Sequence, residues 1–226
     1  RMFEHRFRIF QRDVINSPSE PIGKIIDFFQ RVEFQQRGSP HMHCLFWVEN
    51  APRLDIHGKQ AVVDFIDKYV TCSIPDERDD TQLRNIVLEV QQHSKKHSKS
   101  CKKNGVECRF NFPRPPSQET FITDVNDDDD TDDDNDGNTT ATTPDLKSKL
   151  SRSLAKDILL SVWNKIQSDS NEYKTTEDIF TDLSLTQEVY ENAHNVLSKK
   201  LNVVLKRNPN ELWTNQYNPC LLKCWN

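Results

Sequence analysis

At 226 residues the chain can hold one domain of ordinary size, or a smaller one with an appendage. Its 35% hydrophobic and 29% charged residues make it polar for a globular protein, so part of it is expected to lie outside any core. No apolar run approaches a membrane span, residues 1–10 are too charged for a signal peptide, and the six cysteines (Cys44, Cys72, Cys101, Cys108, Cys220, Cys224) form no secretory framework; the expected setting is nuclear, or cytoplasmic before import, and not secreted.

In chain order, Phe3, Phe7, Phe10 and Val14 recur at helical spacing, which predicts an amphipathic helix over residues 2–14 with its aromatic stripe in the core. Residues 29–36 and 41–48 read as strands, and Gly38-Ser39-Pro40 can reverse the chain between them, so the two runs form a hairpin. A helix follows near residues 59–72 with Val62, Val63, Phe65, Ile66 and Tyr69 inward. The next runs from Thr81 to about Lys99 and carries Leu83, Ile86, Val87 and Val90 into the core.

Residues 124–136 contain nine aspartates and no aromatic residue; such dense like charge repels itself and marks a disordered insert, set at residues 117–145. Without those nine acids the net charge of −5 becomes +4, a mildly basic remainder that suits nucleic acid. Beyond the insert, residues 145–166 are predicted helical with Leu150, Leu154, Ile158 and Val162 on one stripe, as are 178–183 and 187–197. The expected organisation is therefore a core at residues 1–116, the insert, and a helical extension at 146–226.

The hairpin raises the first chemical question. Side chains alternate along a strand, so His41, His43, Leu45 and Trp47 share one face, and the two imidazoles point the same way, close enough to hold one ion between them. Glu33 or Gln35 lies across from them and adds an oxygen ligand; two histidines and a carboxylate with open positions suit Mg²⁺ or Mn²⁺. An ordinary polar strand face is the other reading of the same pair.

The stretch EFQQRGSPHMHCLFWVENAP resembles the HUH motif (His, hydrophobic residue, His) of Helitron-type rolling-circle replication initiators, in the Helitron helicase-like N-terminal domain. Pro21-Ile22-Gly23-Lys24 with Asp27-Phe28-Phe29 resembles the lead-in to that strand. His97-Ser98-Lys99-Ser100-Cys101 followed by Cys108-Arg109-Phe110-Asn111-Phe112-Pro113 resembles the family's Cys/His segment. Leu205-Lys206-Arg207-Asn208-Pro209 and Trp213-Thr214-Asn215-Gln216-Tyr217-Asn218-Pro219 resemble its later block.

The resemblance implies an α+β fold: a ferredoxin-like antiparallel sheet with the histidines on a central strand, plus the α-helical extension. It also implies metal-assisted nicking and strand transfer on single-stranded DNA at transposon ends, with a tyrosine attacking the scissile phosphate to leave a 5′-phosphotyrosyl enzyme and a free 3′-OH. His41, His43 and Glu33 are the expected metal ligands, with Gln35 as the alternative to Glu33.

The family's paired catalytic tyrosines fall on a helix beyond a Trp-x-Ala-Asn stretch, and these residues stop at Cys224-Trp225-Asn226. Tyr69, Tyr173, Tyr190 and Tyr217 show no such pairing, so no nucleophile is assigned and this chain is expected to be inactive alone. It contains no G-x-x-x-x-G-K-[ST], so the helicase of full-length relatives is expected outside it. A first residue of Arg suggests an incomplete N-terminal boundary.

A second constellation lies at His93, His97 and Cys101, spaced i, i+4, i+8 as on one helical stripe, with Cys108 returned to it across a Lys-Lys-Asn-Gly loop. Two imidazoles and two thiolates close a tetrahedron around structural Zn²⁺; a lysine-rich exposed segment with incidental His and Cys is the other reading. Arg37, Lys102, Lys103, Arg109 and Arg114 are the DNA-contact candidates. An alternative function is a non-enzymatic, zinc-stabilised DNA-binding module, or an inactive transposon remnant.

Overall fold

A computed structural model describes residues 2–34, 38–97, 101–103, 107–124, 150–168 and 174–225, with backbone alone at 102, 103, 107 and 225. The chain forms two compact units, Arg1–Pro115 with Asn210–Asn226, and Pro116–Pro209. Residues 210–226, expected as the end of the helical extension, thus belong with the first unit. The acidic run lies outside the described residues from 125 onward. Its expected leading edge is folded: Ser117, Thr120 and Thr123 are buried.

The first unit begins with α1 (Met2–Phe10), which widens into a π-helical turn at Gln11–Ile15. That wider turn moves the buried stripe to Phe7, Gln11 and Ile15, leaving Phe3, Phe10 and Val14 half-buried. Next come β1 (Ile25–Phe34) and β2 (Pro40–Val48), an antiparallel hairpin in register from Phe34 opposite Pro40 to Asp27 opposite Trp47, with a shift of register before Ile25 opposite Val48. Gly23, in the lead-in, has φ +88°, and a Cβ there would stand 2.6 Å from Val48 Cγ1. Only glycine lets the chain pass the end of β2 so closely.

α2 (Leu54–Tyr69) kinks at Gly58 (φ 77°, ψ 174°), so its regular part starts at Lys59 as the sequence implied. Val63 is buried, with Val62, Phe65, Ile66 and Tyr69 half-buried around it. α3 (Thr81–Val90) starts where Asp80 Oδ1 accepts the Leu83 N–H at 3.0 Å. Leu83, Ile86 and Val87 are buried, but Val90 is exposed.

α3 stops nine residues short of the expected end. The Asn215 N–H donates to the Gln91 carbonyl at 2.8 Å and the His93 N–H to the Trp213 carbonyl at 2.7 Å, so residues 91–93 leave the helix to pair with 213–215. β3 (Lys102–Lys103) and β4 (Glu107–Cys108) then form a short antiparallel pair.

The later sequence block closes the unit. Tyr217 exchanges backbone hydrogen bonds with Thr71, at 2.8 and 2.9 Å, and its hydroxyl donates to the Ser73 carbonyl at 2.8 Å. The Asn218 amide donates to the carbonyls of Pro21 and Tyr69, both at 2.8 Å, which ties the hairpin's lead-in to the end of α2. α7 (Pro219–Trp225) packs beside α3, where Lys223 Nζ lies 2.5 Å from Asp80 Oδ2 and lowers the pKa of that carboxyl.

In the second unit β5 (Phe121–Ile122) pairs with β6 (Val203–Val204) beside α4 (Arg152–Ser168), α5 (Thr176–Asp182) and α6 (Gln187–Leu197). Thr175 and Asp178 form a reciprocal capping box at the start of α5. Ala155, Val162, Ile166, Ile179, Phe180, Tyr190 and Ala193 are buried. The inward face of α4 is therefore rotated from the expected stripe, and Leu154 is exposed.

The architecture is mixed α+β. The described strands pair as three two-stranded antiparallel sheets. β2 has one hydrogen-bonded neighbour, so a larger ferredoxin-like sheet with the histidines on a central strand is not assembled from the described residues. The physical reason is length: β3 to β6 are two residues each, too short to extend a hairpin of nine- and ten-residue strands.

Candidate metal centre

His93, His97, Cys101 and Cys108 meet in the first unit, their ligand atoms all within 4.8 Å of one another. His93 Nε2 lies 3.4 Å from both sulfurs, His97 Nδ1 is 3.3 Å from Cys101 Sγ, and the sulfurs are 3.6 Å apart. Four ligands on a tetrahedral zinc ion, with Zn–S about 2.3 Å and Zn–N about 2.0 Å, stand roughly 3.4–3.8 Å from each other. The four spacings of 3.3–3.6 Å are close to the edges of that tetrahedron, and S₂N₂ is one of the donor sets that closed zinc sites use.

Loops assemble this site, not the helical stripe the spacing suggested, since α3 has ended before His93. Backbone pairing to Trp213 fixes His93, while the pairing of β3 with β4 holds Cys108 near Cys101, with the Arg109 N–H donating to the Cys101 carbonyl at 2.8 Å. Both cysteines are buried. Phe112 stacks on the His93 ring at 4.4 Å with planes 11° apart, and Trp213 lies parallel to the same ring at 6.3 Å. Phe110 meets it edge-on at 5.9 Å.

Electrostatics favour the ligating form at His93 and Cys108. Burial, then the nearby His97 and Arg114, lower the pKa of His93, keeping it the neutral imidazole a metal requires. Burial raises Cys108, but backbone N–H groups of Phe112 and Phe110, Cys101 and the Arg114 charge outweigh it and the net shift is downward. Burial and then Cys108 raise Cys101, so Cys108 gives up its proton first.

The hairpin residues are arranged differently. Glu33 stands opposite His41 and Arg31 opposite His43, so all four share a face, and Glu33 Oε2 lies 2.8 Å from His43 Nε2. The Glu33 and His43 side chains are 61% and 65% exposed. Among the described residues, Glu33, His41 and His43 do not gather as tightly as the Cys/His group. They form an open face, whereas the cysteines and histidines form a closed shell.

Of the remaining candidates, Gln35 and Arg37 lie outside the described residues, as do the side chains of Lys102 and Lys103. Arg109 is exposed with Cζ 4.8 Å from the Phe110 ring centre, and Arg114 Cζ lies 5.0 Å from that of Phe112. Sequence reasoning missed the aromatic wall of Phe110, Phe112 and Trp213. Its signal was present, because these aromatics flank the Cys/His segment and open the Trp-Thr-Asn-Gln-Tyr block.

The class defined by this geometry is a mixed α+β protein with a Cys₂His₂ knuckle, its cysteines buried and its histidines half-buried, and an exposed histidine hairpin. Residues 1–46 match the family described as Helitron helicase-like domain at N-terminus, so the resemblance read from the motifs is shown over that span, which includes both hairpin histidines. No curated protein and no solved structure matches.

Proposed function

We propose that this chain is the metal- and DNA-binding part of a Helitron-type HUH endonuclease, acting on single-stranded DNA at transposon ends in the nucleus. The observation that carries the reading is the Glu33–His43 contact across a hairpin that puts His41 on the same face, inside the family-matched span. In this reading the hairpin corresponds to the histidine strand of the family's ferredoxin-like sheet.

His41, His43 and Glu33 would hold Mg²⁺ or Mn²⁺, which supplies Lewis-acid polarisation of a phosphodiester. The exposure of these side chains leaves room for a substrate oxygen beside them, and Arg31 on the same face offers a positive charge to the phosphate. Attack on phosphorus is assigned to none of this chain's tyrosines. Tyr217 is hydrogen-bonded at the hairpin's base, Tyr190 is buried, Tyr69 is the last residue of α2, and Tyr173 lies outside the described residues. The chain's own part is therefore to bind and orient DNA, alongside the tyrosine pair and helicase that the family resemblance implies.

His93, His97, Cys101 and Cys108 would hold structural Zn²⁺, for which the closed S₂N₂ shell is suited. The tighter gathering of this group favours a second reading, a zinc-stabilised DNA-binding module without catalysis. Mn²⁺ titration followed by electron paramagnetic resonance, with retention of labelled single-stranded DNA, separates the two. Saturable Mn²⁺ binding that strengthens DNA retention, with both effects lost in His41→Ala/His43→Ala, is expected; DNA retention indifferent to Mn²⁺ and to that double substitution would leave the module.

A further inference from the structure

The segment from Gln91 to Pro115 carries seven lysines and arginines against a single acid, Glu107. The two thiolates of a Cys₂His₂ shell neutralise the zinc they hold, so this excess charge is not consumed by the metal. Lys95, Lys96 and Arg109 are exposed, and with them Phe110, at 48%. An aromatic ring left half in water with a guanidinium over one face, inside a strongly positive segment, is the pairing that single-stranded nucleic acid uses: the ring offers its other face to a base and the cations take phosphates.

Phe110 is also coupled to the metal shell. Its ring meets the His93 imidazole, which Phe112 clamps from another side. Ligation of His93 therefore fixes the surface on which Phe110 leans. We infer that the knuckle is a metal-ordered clamp for single-stranded DNA, in which Phe110 stacks a base while Lys95, Lys96 and Arg109 neutralise flanking phosphates. The substrate class rests on the DNA reading above, but the site is separate from the hairpin and needs no divalent ion there. Duplex DNA keeps its bases stacked and offers Phe110 no free face.

The test uses the full chain loaded with Zn²⁺, in buffer without Mg²⁺ or Mn²⁺, and fluorescence anisotropy of labelled oligothymidylate of about twelve nucleotides, within the usual single-strand site size. Phe110→Leu keeps an apolar contact with His93 but removes the π face, and is expected to weaken binding about tenfold, while Phe110→Trp retains it. Arg109→Ala should reduce the slope of log K against log salt by about 0.7. Co²⁺ substitution, read by its thiolate charge-transfer and d–d absorption, checks that each variant keeps the shell.

Duplex of the same length should bind more weakly, as should chain stripped with a chelator. Equal affinity of Phe110→Leu and the parent, or equal affinity of stripped and loaded chain, would overturn the clamp. If His41→Ala/His43→Ala abolishes binding in this buffer while Phe110→Leu binds as the parent does, the clamp falls and the hairpin reading survives.

Discussion

In the second unit His194 sits with its ring 4.7 Å from Tyr190 and 5.5 Å from Phe121, and its Nε2 is buried without a hydrogen-bond partner. Burial pushes its pKa down from 6.5 to about 4. The folded form therefore refuses a proton that the unfolded chain accepts between those values. This contribution to stability is complete above about pH 6.5 and is lost as pH falls toward 4, by about 3 kcal/mol at most. Urea unfolding at pH 7 and at pH 4.5 should show a steep loss for the parent and a shallower one for His194→Phe, which removes the titrating group and keeps an aromatic ring. Equal pH dependence in the two proteins would mean that His194 is not the acid-labile group.

At the scale of elements, the hairpin depends on two glycines that differ in kind. Gly38, in the turn, has φ +78° and open space for 4 Å around the position a Cβ would take, so Gly38→Ala meets only the left-handed backbone cost, about 1 kcal/mol. Gly23 has φ +88°, and a methyl there would also be driven into Val48 and toward the Tyr69 hydroxyl, 3.1 Å away, so Gly23→Ala should cost more, on the order of 2–3 kcal/mol. Denaturant midpoints of the two variants check the order; a larger loss at Gly38 would contradict the crowding seen at Gly23. Both the hairpin and α6 were legible in the sequence, because strand alternation about a Gly-Ser-Pro turn and helical periodicity are local signals. The end of α3 was not legible. The His93, His97, Cys101 spacing is compatible with a helix, and what stops the helix is pairing with residues 213–215, more than a hundred positions away. The four residues could still be grouped from the sequence, since two thiolates and two imidazoles are a donor set that suits zinc whether a helix or a loop delivers them.

At the scale of the first unit, the knuckle and the hairpin are joined through one strip of chain. His93 accepts its position from Trp213; four residues on, Tyr217 pairs with Thr71, and Asn218 holds the carbonyls of Pro21 and Tyr69 at the hairpin's base. If the Cys/His cluster holds the proposed metal, removing it would leave two buried thiol groups and two imidazoles with no common partner, and the loop that carries His93 would lose its reason to stay closed. The strip 213–218 then keeps its hydrogen bonds to the α2 end but loses those to residues 91–93. Amide hydrogen exchange should report this as a graded effect. On chelation, the amides of His93, Arg109, Asn111 and Asn215, all donors around the knuckle, should lose protection first, with those of Thr71 and Tyr217 following to a smaller extent. Cys108→Ser, which weakens the shell without a chelator, should reproduce the same order. Protection at His93 and Asn215 that is indifferent to both treatments would show that the aromatic packing of Phe112 and Trp213 holds the knuckle by itself, and that the metal adds chemistry without adding order.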